Sequence, residues 1–361
     1  MESSPSPTYI GDNAPEEFLP YISEHWLKFL APNPSMNYVL GIIYIFFMIF
    51  SLFGNGFILF LIIRCPSLQS CSNCLVGSLA TADFLMMLKT PVFIIQSFQQ
   101  GPTLGSLGCQ LYGAIGFLSG FAAIWSVMAI AIDRYLVFAN PFDMGRRLDR
   151  KRTTILITCI WSSSALFTVA PFLGFSRYVP EGYLTSCTID YLSSDWKKRA
   201  FIILCGSIGW LIPLCIIMFC YVGIIRVTRK SDEALLLLTR RDGGSLAVSV
   251  FLEKRKMQRR LNRSVLMVVV IWMLSWTPYA AVVLVGSLWS QYLTPGMSMI
   301  PALACKASAC INPYIYGIRN PQFLAEVKRF FSWPRGRTPS QRRELISLSE
   351  FRGHRDRSIN E

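Results

Sequence analysis

Long apolar runs punctuated by short charged clusters set the pattern of this chain. Positions 36–63, 153–176, 200–225 and 264–290 contain no Asp, Glu, Lys or Arg, and 292–318 contains one charge, Lys306. A bilayer span takes roughly 20 apolar residues, so each run is long enough to cross. The run 90–132 is also uncharged and joins a preceding stretch from 67 that holds Asp83 and Lys89. It is too long for one helix, and the Gly-Pro and Gly-rich turn between Gln100 and Gly108 divides it. The pattern predicts an all-α membrane protein, a seven-transmembrane helix bundle over 36–318, preceded by an outer segment at 1–35. After it, Phe323, Leu324, Val327, Phe330 and Phe331 alternate with Glu326, Lys328 and Arg329. That predicts an amphipathic membrane-surface helix over 319–331, with a polar, basic tail at 332–361 expected to be disordered.

Composition agrees. Hydrophobic residues make up 52% and charged residues 16%, with a mean hydropathy of +0.41, whereas soluble domains carry about 25% charged residues. A soluble enzyme is excluded. The net charge of +14 is unevenly placed: Arg146, Arg147, Arg150, Lys151 and Arg152 lie between spans three and four, and Arg226, Arg229, Lys230, Arg240, Arg241 and a run from Lys254 to Arg263 lie between spans five and six. The first 35 residues hold Glu2, Asp12, Glu16, Glu17 and Glu24 against Lys28. By the positive-inside rule the N-terminus is extracellular, with Lys197, Lys198 and Arg199 as the main exception. Charges that follow loop topology do not make a nucleic-acid-binding face. No apolar core of signal-peptide length precedes the first span, which is expected to target the chain itself.

Lys306 is the most telling residue, since an ionisable group inside a span marks function by default. The plainer alternatives are a lysine that snorkels to the interface or pairs with an acid on a neighbouring helix. About a dozen residues separate it from either end of its run, which weakens snorkelling. Of eleven cysteines, only Cys109 and Cys187 fall on the outer side, and an outside pair in an oxidising compartment is expected to be joined. The bridge would hold the loop between spans four and five over the bundle as a lid. Metal binding is a poor competitor with only His25 and His354 available, and no metal site is expected.

One feature per span then spells a family. Asn55, Asp83, Asp133-Arg134-Tyr135, Trp161, Pro213, Trp276-Thr277-Pro278-Tyr279 and Asn312-Pro313-Tyr314-Ile315-Tyr316 resemble, in that order, the rhodopsin-like G-protein-coupled receptors. The resemblance covers roughly residues 36 to 331. Lys306, six residues before Asn312, is similar to the lysine by which opsins hold retinal as a Schiff base, and implies 11-cis-retinal or a related retinoid as a covalent cofactor. A buried amine suits that condensation, because desolvation frees the nucleophile. Trp276, Tyr279, Phe117, Phe121 and Tyr112 are candidate wall residues by position; core packing is the commoner fate of an intramembrane aromatic, and Trp276, before the Pro278 kink, is the firmest choice.

A protonated Schiff base in an apolar bundle needs an anion or a polar shell. Tyr112 stands three residues after Cys109, where vertebrate visual opsins have a carboxylate. Glu181, six residues before Cys187, matches the counterion position of invertebrate opsins; otherwise it is an exposed loop acid. Asp83 is set with Asn55 and Asn312 in the polar core common to these receptors. The stretch Asp83-Phe84-Leu85-Met86-Met87-Leu88-Lys89-Thr90-Pro91 is very similar to that of insect ultraviolet-sensitive opsins. A cation at Lys89 disfavours a protonated Schiff base, and an unprotonated one absorbs in the near ultraviolet. The alternative is that Lys89 pairs with Glu181 or a backbone carbonyl. Glu24-His25-Trp26-Leu27, Val179-Pro180-Glu181-Gly182-Tyr183-Leu184-Thr185-Ser186-Cys187 and Leu293-Thr294-Pro295-Gly296 resemble arthropod visual opsins, with His25 read as an interfacial packing residue.

On the signalling side the resemblance implies light activation, an outward swing of span six, and coupling to a heterotrimeric G protein of the Gq class, with arrestin and a receptor kinase acting on the tail. The switch falls on Asp133, Arg134, Tyr135, Asn312, Pro313 and Tyr316, with Arg134 held at rest by Asp133. The acid usual eighteen residues before the tryptophan is here Gln258, and the usual His-Pro-Lys after span seven reads Asn320-Pro321-Gln322. The first departure should weaken the resting lock and raise activity in darkness; the second, with the absence of the usual Gln-, Ala- and Lys-rich motif between Ser231 and Phe251, bears on the strength of Gq coupling. Thr338, Ser340, Ser347, Ser349 and Ser358 are candidate phosphorylation sites, and no cysteine follows the amphipathic helix to anchor it by palmitoylation. The expectation is a light-activated receptor of the photoreceptor cell membrane and not an enzyme. A receptor for a diffusible ligand would leave Lys306 unemployed, a retinal photoisomerase would not need the intact switch residues, and a transporter would show repeats that are absent here.

Overall fold

The computed structural model describes residues 8–103, 105–139, 147–242 and 246–331, with side chains omitted at 230–251, 254–255, 258 and 318–319. The tail and its candidate phosphorylation sites, residues 243–245 and the side chain of Gln258 therefore lie outside the described residues.

Seven long helices run in chain order. α1 is Pro34–Arg64, α2 Cys71–Gln99 with a break at Lys89, α3 Gly105–Ala139 and α4 Arg150–Val169. α5 combines Trp196–Gly206 and Ile212–Asp242 through a π turn at Ser207–Leu211. α6 is Leu246–Leu288 and α7 Pro295–Arg319, followed by the short α8, Pro321–Phe331. Six of the first seven are long and apolar enough to cross a membrane by composition alone. α7, interrupted by Lys306, is 25 residues long, about 37 Å of helix, and completes the bundle.

The helices are not amphipathic in the soluble sense. Phe53, Ile63, Leu166, Phe219, Leu274 and Ile300 are exposed, while Asn55, Asp83, Ser126 and Asn312 are buried. Apolar side chains face outward because the surrounding solvent is lipid, and polar ones turn inward, where they bond one another. α3 lies at the centre, packed against α2, α4 and α5, and α7 closes the ring between α6, α1 and α2.

Prolines supply the irregularities, and polar side chains repair them. Pro313 has no N–H for the carbonyl of Ala309; Asn55 Nδ2 and Ser51 Oγ donate to that oxygen at 3.1 and 3.2 Å. In the π turn of α5 the Ser207 carbonyl accepts from Ile212, so the next carbonyl, Ile208, would need an N–H from Pro213. Trp125 Nε1 donates to it instead, at 3.2 Å. Trp161 Nε1 reaches Ser78 Oγ at 3.1 Å, and Ser78 meets Ser126 at 2.9 Å, so α2, α3 and α4 are tied by one chain of bonds.

The end of the bundle nearest the N-terminus is covered twice. Residues 178–181 (β1) and 186–189 (β2) form an antiparallel hairpin with Glu181 opposite Ser186, and Cys187 is bridged to Cys109 at the start of α3 with Cα atoms 5.4 Å apart. Gly182 turns this hairpin at φ +59, and a Cβ there would strike Ser298 and Met299 of α7, so only glycine lets the turn seat on the bundle. The N-terminal segment packs beside it through buried Phe18, Ile22 and Trp26, and His25 Nε2 meets the Leu293 carbonyl at 2.9 Å. His25 is thus a packing residue, as expected. Its pKa is lowered, chiefly by burial, against the raising effect of that carbonyl. The basic exception on this face is partly neutralised, with Arg177 at 2.8 Å and Lys198 at 3.6 Å from Asp190.

Cys109→Ser should cost about 2–5 kcal/mol, because the bridge closes a 78-residue loop in the unfolded chain and pins the hairpin. The expected result is a lower melting temperature of the detergent-solubilised protein than wild type under non-reducing conditions. An unchanged melting temperature would show that hairpin packing alone holds the lid.

Candidate functional site

Beneath the hairpin lies a cavity of about 440 Å³ whose wall includes Lys306, Lys89, Glu181, Tyr112, Phe117, Phe121, Trp276 and Tyr279. The fold thus gathers into one space all eight residues that the sequence assigned to a chromophore, from α2, α3, α6, α7 and the lid. Its size is ordinary for a small-molecule site. Phe117 and Phe121, one turn apart on α3, meet at 4.6 Å between ring centroids, and Phe121 lies 5.4 Å from Phe167 of α4. Trp276 stacks over Trp272 at 6.3 Å, one turn below it in α6.

The two lysines are held differently. Lys306 is buried, donates to the carbonyl of Ala302 at 3.2 Å and has its Nζ 5.4 Å from the Tyr44 ring centroid. Tyr44 on α1 is itself stacked on Phe93 at 3.8 Å. Lys89 projects from the break in α2, where the Thr90-Pro91 step stops the helix. Its Nζ donates to the Tyr112 carbonyl at 3.1 Å and lies 3.8 Å from the Tyr112 ring centroid, a cation–π contact. A Cβ at position 116 would collide with that ammonium group, so Gly116 makes room for Lys89 in the wall. Of the two alternatives raised for Lys89, the carbonyl bond is present and the pairing with Glu181 is not. Among the described residues neither lysine forms an ion pair with a carboxylate within 4.0 Å.

Glu181 is buried in β1 and turned into the bundle, so it is not an exposed loop acid. Its Oε1 accepts from Tyr191 Oη at 2.8 Å and its Oε2 from Tyr279 Oη at 3.4 Å, with Thr188 Oγ1 3.0 Å from the same phenol. Burial pushes its carboxyl up to about 7, against the opposing pull of the Tyr191 bond, the Lys306 charge, the Tyr279 bond and the Lys89 charge. It is therefore an acid poised between charged and neutral forms at physiological pH. Tyr112 Oη, deep in the wall, has no hydrogen-bond partner among the described residues.

Toward the inner end, Asn312 Nδ2 donates to Asp83 Oδ2 at 2.8 Å. Asn55 does not join that pair: it bonds Ser51 and the Ala309 carbonyl, so the expected three-residue core is two separate bonding groups. The cause is the carbonyl freed by Pro313, which draws the Asn55 amide. Arg134 is paired with the neighbouring Asp133, as expected, and Tyr135 packs edge-on to Phe219 at 5.8 Å. A third member has no sequence signature: Ser72 Oγ donates to Asp133 Oδ2 at 2.7 Å and accepts from Arg134 Nη2. Below Arg134 a smaller crevice of about 140 Å³ is lined also by Ser72, Tyr316, Asn320 and Gln322. Tyr191, Thr188, Tyr44 and Ser72 are the site neighbours that sequence reasoning passed over, since each is an ordinary residue until the fold places it.

The arrangement is an apolar, aromatic-walled chamber with one buried amine in its wall, a second cation and a tunable acid. It suits an elongated apolar ligand with one electrophilic end, held covalently at Lys306. Residues 54–316 match the model of the 7 transmembrane receptor (rhodopsin family). The chain is 37% identical over 330 residues to the ultraviolet-sensitive opsin of Apis mellifera, covering 91% of this chain and 88% of that protein. It is 38% identical over 327 residues to opsin Rh3 of Drosophila melanogaster, covering 90% and 85% respectively. The crystal structure of squid rhodopsin superposes with a TM-score of 0.80 at 30% identity, over 86% of this chain and 90% of that one.

Proposed function

The chain belongs to the opsins, the light-activated members of the rhodopsin family of seven-transmembrane receptors, and on that premise we propose that Lys306 carries 11-cis-retinal or a related retinoid and that the pigment is tuned to the ultraviolet. The observation that carries the reading is the buried Lys306 amine in the wall of the aromatic cavity. When bound, the retinoid supplies light absorption and a change of shape. Lys306 Nζ, released from the Ala302 carbonyl, supplies the nucleophile and the anchoring bond. Phe117, Phe121 and Trp276 would exclude water and confine an elongated ligand, and Trp276 stands two residues before Pro278, where α6 lacks a backbone N–H. Glu181 is the counterion of this reading, and its tyrosine bonds let it take or release a proton without leaving its place. Lys89, held by the Tyr112 carbonyl in the same cavity, sets a positive charge against any proton at the Lys306 nitrogen. That favours the neutral linkage and near-ultraviolet absorption.

The inner half is read as the switch. Asp133 and Ser72 hold Arg134, and Asn312 holds Asp83. The 140 Å³ crevice beside Arg134 is too small for a partner helix, about 10 Å wide with its side chains, so α6 must swing out before a G protein can enter. We assign the partner to the Gq class, with arrestin and a receptor kinase acting on the tail, and place the N-terminus outside the photoreceptor cell membrane by the charge asymmetry of the loops. In membranes reconstituted with 11-cis-retinal and a Gq-class heterotrimer, ultraviolet light should raise the rate of nucleotide exchange many-fold over darkness. Equal rates in light and dark would overturn the receptor reading.

A further inference from the structure

α2 opens with Cys71-Ser72-Asn73-Cys74, two thiols spaced as a Cys-x-x-Cys pair on the first helical turn. Cysteine pairs of this spacing are known as redox centres, because the two sulfurs are near enough to join. Both thiols are free and half-buried. Among the described residues no group of three His, Cys, Asp or Glu is placed to hold a metal, so the natural partner of each thiol is the other.

What lies between them gives the pair a consequence. Ser72 bonds both Asp133 and Arg134, and Asn73 Nδ2 donates to Gln322 Oε1 of α8 at 3.3 Å. Residues three apart on a helix hold their Cβ atoms about 5–6 Å apart, whereas a disulfide brings them to about 3.8 Å. Closing the pair therefore tightens the first turn, and Ser72 and Asn73 are the two residues that must turn with it.

We propose that Cys71 and Cys74 form a peroxide-oxidisable dithiol whose closure withdraws Ser72 from Asp133 and Arg134 and loosens the resting lock. The Cys71 thiolate attacks one peroxide oxygen, the O–O bond breaks, and the departing hydroxide takes a proton to leave as water. Cys74 then attacks the resulting sulfenic sulfur and displaces a second hydroxide, which also leaves as water. Two thiols lose two electrons and the peroxide is reduced to two waters. Exchange with a cellular dithiol reverses the change. The effect on signalling rests on the assignment of Arg134 as the switch; the chemistry does not.

The test uses the full chain in lipid nanodiscs, reduced, then treated with hydrogen peroxide in the dark. Peptide mass mapping should find the 71–74 peptide lighter by two hydrogens, restored by dithiothreitol, with no such loss in Cys74→Ser. Hydrogen exchange over residues 131–136 should speed up on oxidation, and dark nucleotide exchange should rise severalfold in wild type but not in Cys71→Ser or Cys74→Ser. Absence of the 71–74 bridge overturns the proposal, as does a bridge that leaves exchange at 131–136 unchanged. Altered exchange at 131–136 with unchanged dark activity would overturn the link to the lock. A reduced protein with no light response would instead sink the receptor reading, while mass and hydrogen exchange still decide the dithiol.

Discussion

Lys306→Ala protein incubated with 11-cis-retinal should retain no chromophore once free retinoid is removed. The wild type should show an absorption band that survives gel filtration and, on denaturation in acid, moves to longer wavelength as the linkage is protonated while staying with the protein, as a covalent adduct does. The expected loss is complete, because the variant removes the bond-forming atom and leaves only apolar contacts to hold the ligand. The substitution is also mild for the fold. Lys306 makes one hydrogen bond, to the Ala302 carbonyl in its own helix, so a normal melting temperature and an intact Cys109–Cys187 bridge should accompany the loss. The control that matters is Lys89, a second amine in the same cavity. It is anchored on the Tyr112 carbonyl and over the Tyr112 ring, and it sits on the broken part of α2, not on α7. A band that persists in Lys306→Ala and disappears only in the double variant with Lys89→Ala would move the attachment to Lys89 and sink the assignment to Lys306.

The second large effect is spectral: Lys89→Glu should move the absorption maximum from the near ultraviolet into the visible. Lys89 and Lys306 line one cavity, and two unit charges on the order of 8 Å apart interact by about 2 kcal/mol at an effective dielectric of 20. Reversing the sign of one is therefore worth about 4 kcal/mol, or about three powers of ten in proton occupancy. That is enough to turn a neutral nitrogen at Lys306 into a protonated one, which absorbs at longer wavelength. Gly116 leaves space beside Lys89, so the shorter glutamate adds no overlap there. Lys89→Ala, which removes one charge without adding the opposite, should give an intermediate mixture of the two bands that shifts with pH. A wild-type band already in the visible, or a Lys89→Glu band that stays in the ultraviolet, would overturn the tuning role and leave attachment at Lys306 intact.

Much of this was legible because a membrane simplifies the code. Each run long enough to span had to be a helix, since no other open structure satisfies its backbone in lipid, and the runs predict seven helices. Some ends agree within a few residues, as 36–63 against Pro34–Arg64, whereas α5 runs on from 225 to Asp242 and α6 starts at Leu246 and not at 264, because both continue as helix beyond the apolar run into charged sequence. A lone charge inside a run is rare enough that Lys306 and Lys89 announced themselves. Boundaries set by local geometry were less visible: α5 begins at Trp196, ahead of the apolar run, because Asp195 caps it from the loop. The bond from Asn55 to the Ala309 carbonyl followed from a missing N–H at Pro313, six helices away in sequence but on the neighbouring helix in space. Glu181 could be read as a loop acid or a buried one, and the hairpin register decided it.

By itself the sequence determined the number of spans, the lysine in the seventh and the cysteine pair of the lid, because hydropathy, a solitary buried charge and compartment chemistry act at single positions. Only the tertiary structure decided that Lys89 rests on the Tyr112 carbonyl while Glu181 bonds tyrosines and neither lysine. It also decided that Ser72, between two thiols, holds Arg134. Those facts depend on which helices lie side by side and how each is rotated, and packing between distant segments sets both.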